Sequence, residues 1–473
     1  MAFAAGAALI AIVIAARLSQ PRLIVAGTNA APGTATGLKV DARVCQQGEA
    51  LPTGTSAIRV WAEANAGPRI AVAILVRSRT VSRGTVAAGW IGKQVTIPIR
   101  PLPHRLNNAS VCLTRGPAVE RIGVGAPVSA SATPKVRIEY LRPGRRSWWS
   151  LLPAVVRHIG LGRSPNGTWI AIVPLVFMIA AAALAAALVA SQLDSPTPQK
   201  SECAGAGSRR SRLPARTLRQ VPTAAYLCAC VAVLNAASWS ILTPPFEAPD
   251  EPAHVAYVQH LAEEGTRPDS GAAISAEEAT VFAALNPQPV MLNPAFRTIE
   301  SPAAQGYLES VLAQPLSRRG EGAGVAGSQP PLYYALQTIP YLTASAGNLL
   351  ERLALMRLLS ALMAGGSTLF VFLFLKEALP RTSWAWTVGG LGVALFPLLG
   401  FISGVVNPDS MLCTVSAALF FLFARAFRQG LSTPLAIAVG AVVAVGLLTK
   451  LNFVGLVPGV VLALVVLTRR ADR

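Results

Sequence analysis

The sequence predicts an α-helical multi-pass membrane protein of about eight spans with a β-sandwich-like domain near its N-terminus, and three observations carry that expectation. Of 473 residues, 52% are hydrophobic and only 13% are charged, where soluble domains carry roughly 25% charge. Apolar runs of membrane-crossing length recur along the chain. Between the first two of them lies a stretch of short alternating runs broken by Gly, Pro and Asn, the pattern of strands and turns.

Taken in order, residues 1–17 form the first apolar run. No Lys or Arg precedes it, as a signal peptide would require, so a transmembrane helix or signal anchor is expected. Residues 18–145 hold alternating runs such as Ala57-Ile-Arg-Val-Trp-Ala, Arg69-Ile-Ala-Val-Ala-Ile-Leu-Val and Gln94-Val-Thr-Ile-Pro-Ile. This is the expected β-domain, a structural cap or a glycan binder. Cys45 and Cys112 flank its strands, and an oxidising compartment would let them pair. Residues 146–167 continue a basic link containing Trp148 and Trp149, which suits an interfacial segment. A strong helix at 168–192 precedes a polar, Arg-rich loop at 193–222, of cytoplasmic type by its charge.

The rest, 223–473, reads as a membrane domain. Its first helix ends at a long loop, 244–330, that holds 11 of the chain's 22 acids with only four basic residues. Loops of this length are seldom idle connectors. Apolar runs follow at 353–375, 384–406, 410–424, 433–448 and 451–468. The basic residues Lys376 and Arg381, Arg425 and Arg428, and Arg469, Arg470 and Arg473 all fall inside if the acidic loop is outside. Pro331–Leu350 must then not cross. The formal charge of +19 is spread along the chain and explained by this bias, so nucleic acid is not expected as a partner.

With that topology, one membrane face collects Asp250, Glu251, His254, Gln329, Tyr333, Asn407, Asp409 and Lys450. Asp250 and Glu251 are bracketed by Pro249 and Pro252 and begin a helix, a position that favours ionised carboxylates. Either acid could be a cap or a catalytic base. His254 lies on the same helical face and could pair with Asp250 or bind substrate. Asn407-Pro-Asp409 could be a capped turn. Lys450 could snorkel to headgroups or hold a lipid-linked phosphate; Arg352 and Arg357 are weaker candidates for that role. No zinc spacing is present. One or two carboxylates could admit a divalent cation, Mg or Mn, at Asp250; no other cofactor is indicated.

The segments Pro245-Phe-Glu-Ala-Pro-Asp-Glu-Pro-Ala-His254, Gln329-Pro-Pro-Leu-Tyr-Tyr334, Arg357-Leu-Leu-Ser-Ala-Leu362, Asn407-Pro-Asp409 and Thr449-Lys450 resemble the bacterial membrane proteins catalogued as DUF2142, over about residues 225–470. That family is similar to the GT-C glycosyltransferases, and the Ala-rich, Arg-over-Lys composition and attached β-domain look actinobacterial. The resemblance implies an inverting transfer of a sugar from a polyprenyl-phosphate donor to a cell-envelope glycan, lipid or protein on the extracytoplasmic face of the plasma membrane. It assigns the base to Asp250 or Glu251. Gln329 stands where mannosyl and aminoarabinosyl relatives have Lys. Two other functions fit the sequence: a transporter or flippase of lipid-linked glycan, and a non-catalytic envelope scaffold that binds glycan.

Overall fold

The computed structural model describes residues 2–28, 34–38, 43–60, 62–92, 94–116, 122–126, 138–150, 152–153, 168–193, 221–271, 273–285, 287 and 302–471. The Arg-rich loop expected at 193–222 and most of the linker at 146–167 lie outside them. The chain divides into two units, residues 1–158 with 286–307, and residues 159–285 with 308–473.

The first unit opens with helix α1 (Ala2–Ser19), apolar except for Arg17 in its last turn. Among the described residues twelve strands follow, in three four-stranded sheets. The first sheet has the order β1 (Arg22–Thr28), β12 (Ile138–Arg146), β4 (Ala57–Val60), β9 (Val95–Pro98). The second has the order β3 (Arg43–Leu51), β10 (Leu106–Arg115), β6 (Ile70–Val76), β7 (Arg79–Val86). The third joins β2 (Thr34–Leu38), β11 (Ile122–Ala126), β5 (Ala62–Gly67) and β8 (Trp90–Gly92). Three of these strands, β4, β6 and β9, are the alternating runs of the sequence. Their inward positions meet in one core that draws Ile58, Val60, Ile97 and Ile138 from the first sheet and Ile70, Val72, Ile74 and Val111 from the second. Tyr140 donates its hydroxyl to Glu49 Oε2 at 2.9 Å, a buried link from β12 to β3. Cys45 and Cys112 are cross-strand neighbours in β3 and β10 and form a disulfide.

The second unit is helical. It comprises α2 (Ile172–Leu193), α3 (Thr223–Leu242), α4 (Glu251–Glu264), α5 (Ala276–Leu285), the end of α6 (Pro302–Leu312), which begins in the first unit, α7 (Leu332–Thr343), α8 (Leu349–Ala378), α9 (Ser383–Ala394), α10 (Pro397–Ser403), α11 (Asp409–Gln429), α12 (Thr433–Thr449) and α13 (Val457–Ala471). Among the described residues, five helical stretches are long and apolar enough to cross a membrane: Ile172–Gln192, Thr223–Leu242, Leu349–Ala378, Asp409–Gln429 and Leu451–Arg470. The run expected as one helix at 384–406 is broken. α9 and α10 meet at a 54° bend, because Pro397 at the start of α10 lacks the N–H that would continue α9 and forces Phe396 into an extended conformation. Counting that bent pair as one span gives six. α12 has 17 residues, about 25 Å at 1.5 Å per residue. Pro331–Leu350, expected not to cross, contains the 12-residue α7, with Pro340 inside it.

α8 is the centre of this unit. Its start is fixed by a capping box, in which Asn348 accepts from Leu350 and Glu351 N–H while Glu351 accepts from Asn348 N–H. Gly365 and Gly366 then let α8 touch a helix on each side. A Cβ at Gly365 would lie 2.7 Å from Val233 on α3, and one at Gly366 would lie 2.9 Å from Thr414 on α11. α8 and α11 run parallel, joined by Ser367–Thr414 at 2.9 Å in their middle and by Arg428–Glu377 at 2.6 Å at their ends. Arg470 packs over Phe427 at that same end. The opposite end of the bundle gathers the starts of α4, α8 and α11 and the finish of α3, α10 and α12.

Candidate functional site

The loop from α3 to α4 passes through two left-handed residues, Phe246 (φ 64°) and Asp250 (φ 59°). Non-glycine residues adopt this conformation only when their surroundings impose it. The imposing group is Glu251. Its side chain is fully buried and takes four donors: Arg357 Nε at 2.8 Å, Arg357 Nη2 at 2.6 Å, Phe246 N–H at 3.1 Å and Val406 N–H at 3.0 Å. Arg357 donates further to the carbonyls of Ser240, Thr243 and Pro244 at 2.9, 2.7 and 3.1 Å. One buried bidentate pair thus ties together the end of α3, the turn, α8 and the segment before α11. Glu251, expected as an alternative base, has no lone pair left for a proton. Arg357, named as a weaker phosphate ligand, is equally committed.

Asp250 differs in every respect. It occupies the cap position of α4 but makes no capping bond with its side chain, and it is exposed. Its charge and that of Asp409 both act on the Tyr334 hydroxyl. Four residues on, His254 is buried and its Nδ1 lies 3.0 Å from Tyr334 Oη. Burial, and then the nearby Lys450 charge, push the imidazole down to about 3, so it is neutral. Burial raises the Tyr334 hydroxyl well above its usual range. Tyr334 therefore holds a proton to donate to Nδ1, which leaves the imidazole proton on Nε2. Tyr257 stacks on Tyr334, with ring centroids 3.7 Å apart and planes 9° from parallel.

Across the cluster, Lys450 Nζ bonds Asp409 Oδ1 at 2.8 Å. Asp409 is oriented by Asn407, whose Oδ1 accepts the Asp409 N–H at 2.9 Å. Lys450 sits at the finish of α12, where Phe453 folds back over Gly446, whose missing Cβ would lie 2.4 Å from the ring. An ammonium has three N–H donors, so Lys450 keeps donors after binding Asp409. Gln329 is half-buried, and its amide oxygen has no donor among the described residues.

Asp250, His254, Asp409 and Lys450 come together around Tyr334, the last residue of the Gln329–Tyr334 segment, which is itself fully buried. Tyr333, expected at the substrate, is instead fully buried, and its hydroxyl is taken by Ser360 and Gln337, each at 2.9 Å. Asn407 is 5% exposed and positions Asp409. Arg352 is also withdrawn from any ligand. It is fully buried, pairs with Glu277, and donates to Tyr341 Oη at 2.6 Å. Gln259 donates to Glu277 at 2.7 Å and accepts from Ser275, which completes a buried lattice under α4. The signal for Arg352 and Arg357 was their place in the first turns of a long apolar helix, where an unpaired charge would be too costly.

A divalent cation finds poor terms here. Glu251 is spent on Arg357 and Asp409 is neutralised by Lys450, so Asp250 alone offers a free carboxylate. Among the described residues, no group of three or more His, Cys, Asp or Glu could hold a metal ion.

Apolar helices of spanning length with their charged groups gathered at the two ends of the bundle define a multi-helix membrane protein. The chain belongs to the DUF2142 family: a family model described as a predicted membrane protein matches residues 221–473, more than half of its length. Among curated proteins none matches it.

Proposed function

We propose that the protein is a membrane glycosyltransferase that moves a sugar from a polyprenyl-phosphate carrier to a hydroxyl of a cell-envelope acceptor. The observation that carries this reading is the Asp250 carboxylate, exposed and without a capping bond, whose charge acts on Tyr334 together with that of Asp409, the partner of Lys450, while its neighbour Glu251 is fully paired. The similarity to GT-C enzymes supplies the reaction class. The acceptor O–H gives its proton to Asp250 as its oxygen forms a bond to the anomeric carbon. The bond from that carbon to the phosphate oxygen breaks, and the polyprenyl phosphate leaves with its charge toward Lys450. Attack opposite the leaving group inverts the anomeric centre. Gln329, whose amide oxygen has no donor among the described residues, accepts from a sugar hydroxyl, and the fully buried Tyr334 with neutral His254 lies beneath the site on the α4 side.

In this reading the host is the plasma membrane, and the site and the β-domain are extracytoplasmic. The grouping of basic residues at the opposite end of the bundle favours that orientation. The shared core of the first two sheets favours a sandwich whose disulfide suits an oxidising compartment.

Purified protein in nanodiscs, supplied with radiolabelled polyprenyl-phosphate sugars and envelope extract, tests the activity. Transfer is expected, and Asp250→Asn should lower its rate by about 10²–10⁴-fold. An unchanged rate in that variant removes the base assignment. Absence of transfer with every donor, from protein that stays folded, removes the enzyme reading.

A further inference from the structure

The first and last strands of the β-domain meet at a single edge. α1 finishes at Ser19 and β1 starts at Arg22. β12 finishes at Arg146, whose backbone is the register partner of Arg22. Just beyond it, the Trp149 indole N–H donates to Ser19 Oγ at 3.0 Å. The last turn of α1 and the turn after β12 are therefore fastened to each other.

What this edge shows to its surroundings is not ordinary for a soluble domain. Trp148, Trp149 and Leu152 are 45, 50 and 51% exposed. Arg17, Arg145 and Arg146 are exposed around them. Leu9, Ile12, Val13 and Ile14 of α1 are exposed as well, and a helix apolar on all sides belongs in lipid. Indoles settle where one side is apolar and the other wet. Guanidinium groups match phosphate oxygens in bidentate fashion. The apolar surface of α1 runs directly into the aromatic pair and then into the arginines, which is the order of acyl chain, interface and headgroup met on leaving a bilayer.

We propose that this edge is a docking surface for the headgroup layer of a membrane rich in anionic phospholipid, and that it holds the β-domain against the bilayer in one orientation. The β1–β12 ladder is the stiff member of the anchor. The tryptophans set its depth, and Arg17, Arg145 and Arg146 bind phosphate. The proposal is independent of the transfer reaction, and its test reads lipid contact.

Amide hydrogen exchange of residues 142–152 is compared in full-length protein held in nanodiscs of phosphatidylcholine alone or with phosphatidylglycerol. Exchange should slow by on the order of tenfold in the anionic discs, about 1 kcal/mol for each arginine near the surface being ample for that. Arg145→Glu with Arg146→Glu should abolish the dependence on lipid charge. Trp148→Ser with Trp149→Ser should speed exchange in both kinds of disc. Unchanged protection of β6 in every variant establishes that the domain stays folded. Exchange that is indifferent to lipid charge in the unaltered protein, or to both double substitutions while β6 stays protected, overturns the proposal.

Discussion

A guanidinium lying among the carbonyls of Ser240, Thr243 and Pro244 needs a buried anion, and Glu251 supplies it to Arg357. Removing one member strands the other, at a cost of about 3–5 kcal/mol. Glu251→Gln or Arg357→Gln should therefore lower thermal stability and monodisperse yield in detergent. Asp250→Asn should not, since asparagine tolerates the left-handed backbone as well as aspartate does. Equal damage from Asp250→Asn and Glu251→Gln would contradict this division of roles. Two other residues set a pH dependence of opposite sign. His254 titrates near 6.5 when unfolded but is held down to about 3 in the fold by burial and then Lys450. Below pH 6.5 the unfolded chain binds the extra proton, so stability is full above that value and declines as pH falls toward 3, by about 1.4 kcal/mol per unit. Glu278 is fully buried, its carboxyl oxygens lack hydrogen-bond partners among the described residues, and burial followed by the Glu277 charge raises it well above 4.5. There the folded state holds the proton, so stability is full below 4.5 and declines as pH rises through the raised value. Glu278→Gln should remove the decline that sets in above pH 4.5 and His254→Asn the one that sets in below pH 6.5, both read as melting temperature against pH. Only part of this residue-level detail was legible in the sequence. Acids between two prolines at a membrane edge marked the position of the site. Which acid was free depended on an arginine 106 residues away. Tyr333 and Tyr334 could not be told apart either. They lie about 100° apart around a helix; both are fully buried, and only their hydrogen bonds separate them, Tyr333 to Ser360 and Gln337, Tyr334 to His254.

Helices and strands were read with more success than their breaks, for a physical reason. Burial periodicity extends over many residues and survives single exceptions, so β4, β6 and β9 and the long helices α3, α8 and α11 stood out. A break rests on one residue. Pro397 lies within an apolar run that hydropathy alone makes continuous, and its missing N–H turns one expected span into α9 and α10. The bend has a use: it brings Gly404 against α3 and leads the chain to Val406, whose N–H reaches Glu251. A Cβ at Gly404 would lie 2.7 Å from Trp239 Cβ and 2.8 Å from the Ala236 carbonyl oxygen. Gly404→Ala should accordingly force α10 away from α3 and cost about 1–3 kcal/mol. Gly392, in α9, has nothing within 4 Å of its Cβ position; Gly392→Ala should be neutral or stabilise by up to about 1 kcal/mol. Thermal unfolding of the two variants side by side decides the matter, and a Gly404→Ala protein as stable as the parent would mean that α3 and α10 have room to spare.

At the scale of the whole molecule, sidedness follows from how the membrane unit closes on itself. α11 carries Asp409 at its start and Arg428 at its finish, and α12 begins four residues after α11 ends. Lys450, at the finish of α12, nevertheless bonds Asp409, so α12 must run back along the full length of α11 despite having only 17 residues. α13 then departs from the Lys450 end, and Arg470 arrives beside Phe427 at the Arg428 end. Every element after the acidic loop therefore assigns Asp250, Asp409 and Lys450 to one end of the bundle, and Arg428 and Arg470 to the other. In the proposed orientation the charge bias would hold the basic end in the cytoplasm, and a lipid-borne sugar would be used at the other end. Single cysteines at Asp269, exposed in the acidic loop, and at Arg428 report this directly, in a background where Cys203, Cys228, Cys230 and Cys413 are replaced. A membrane-impermeant maleimide added to intact cells should label Asp269→Cys and reach Arg428→Cys only after permeabilisation. The reverse pattern would put Asp250 in the cytoplasm, where nucleotide sugars are at hand, and would remove the reason for expecting a polyprenyl-phosphate donor.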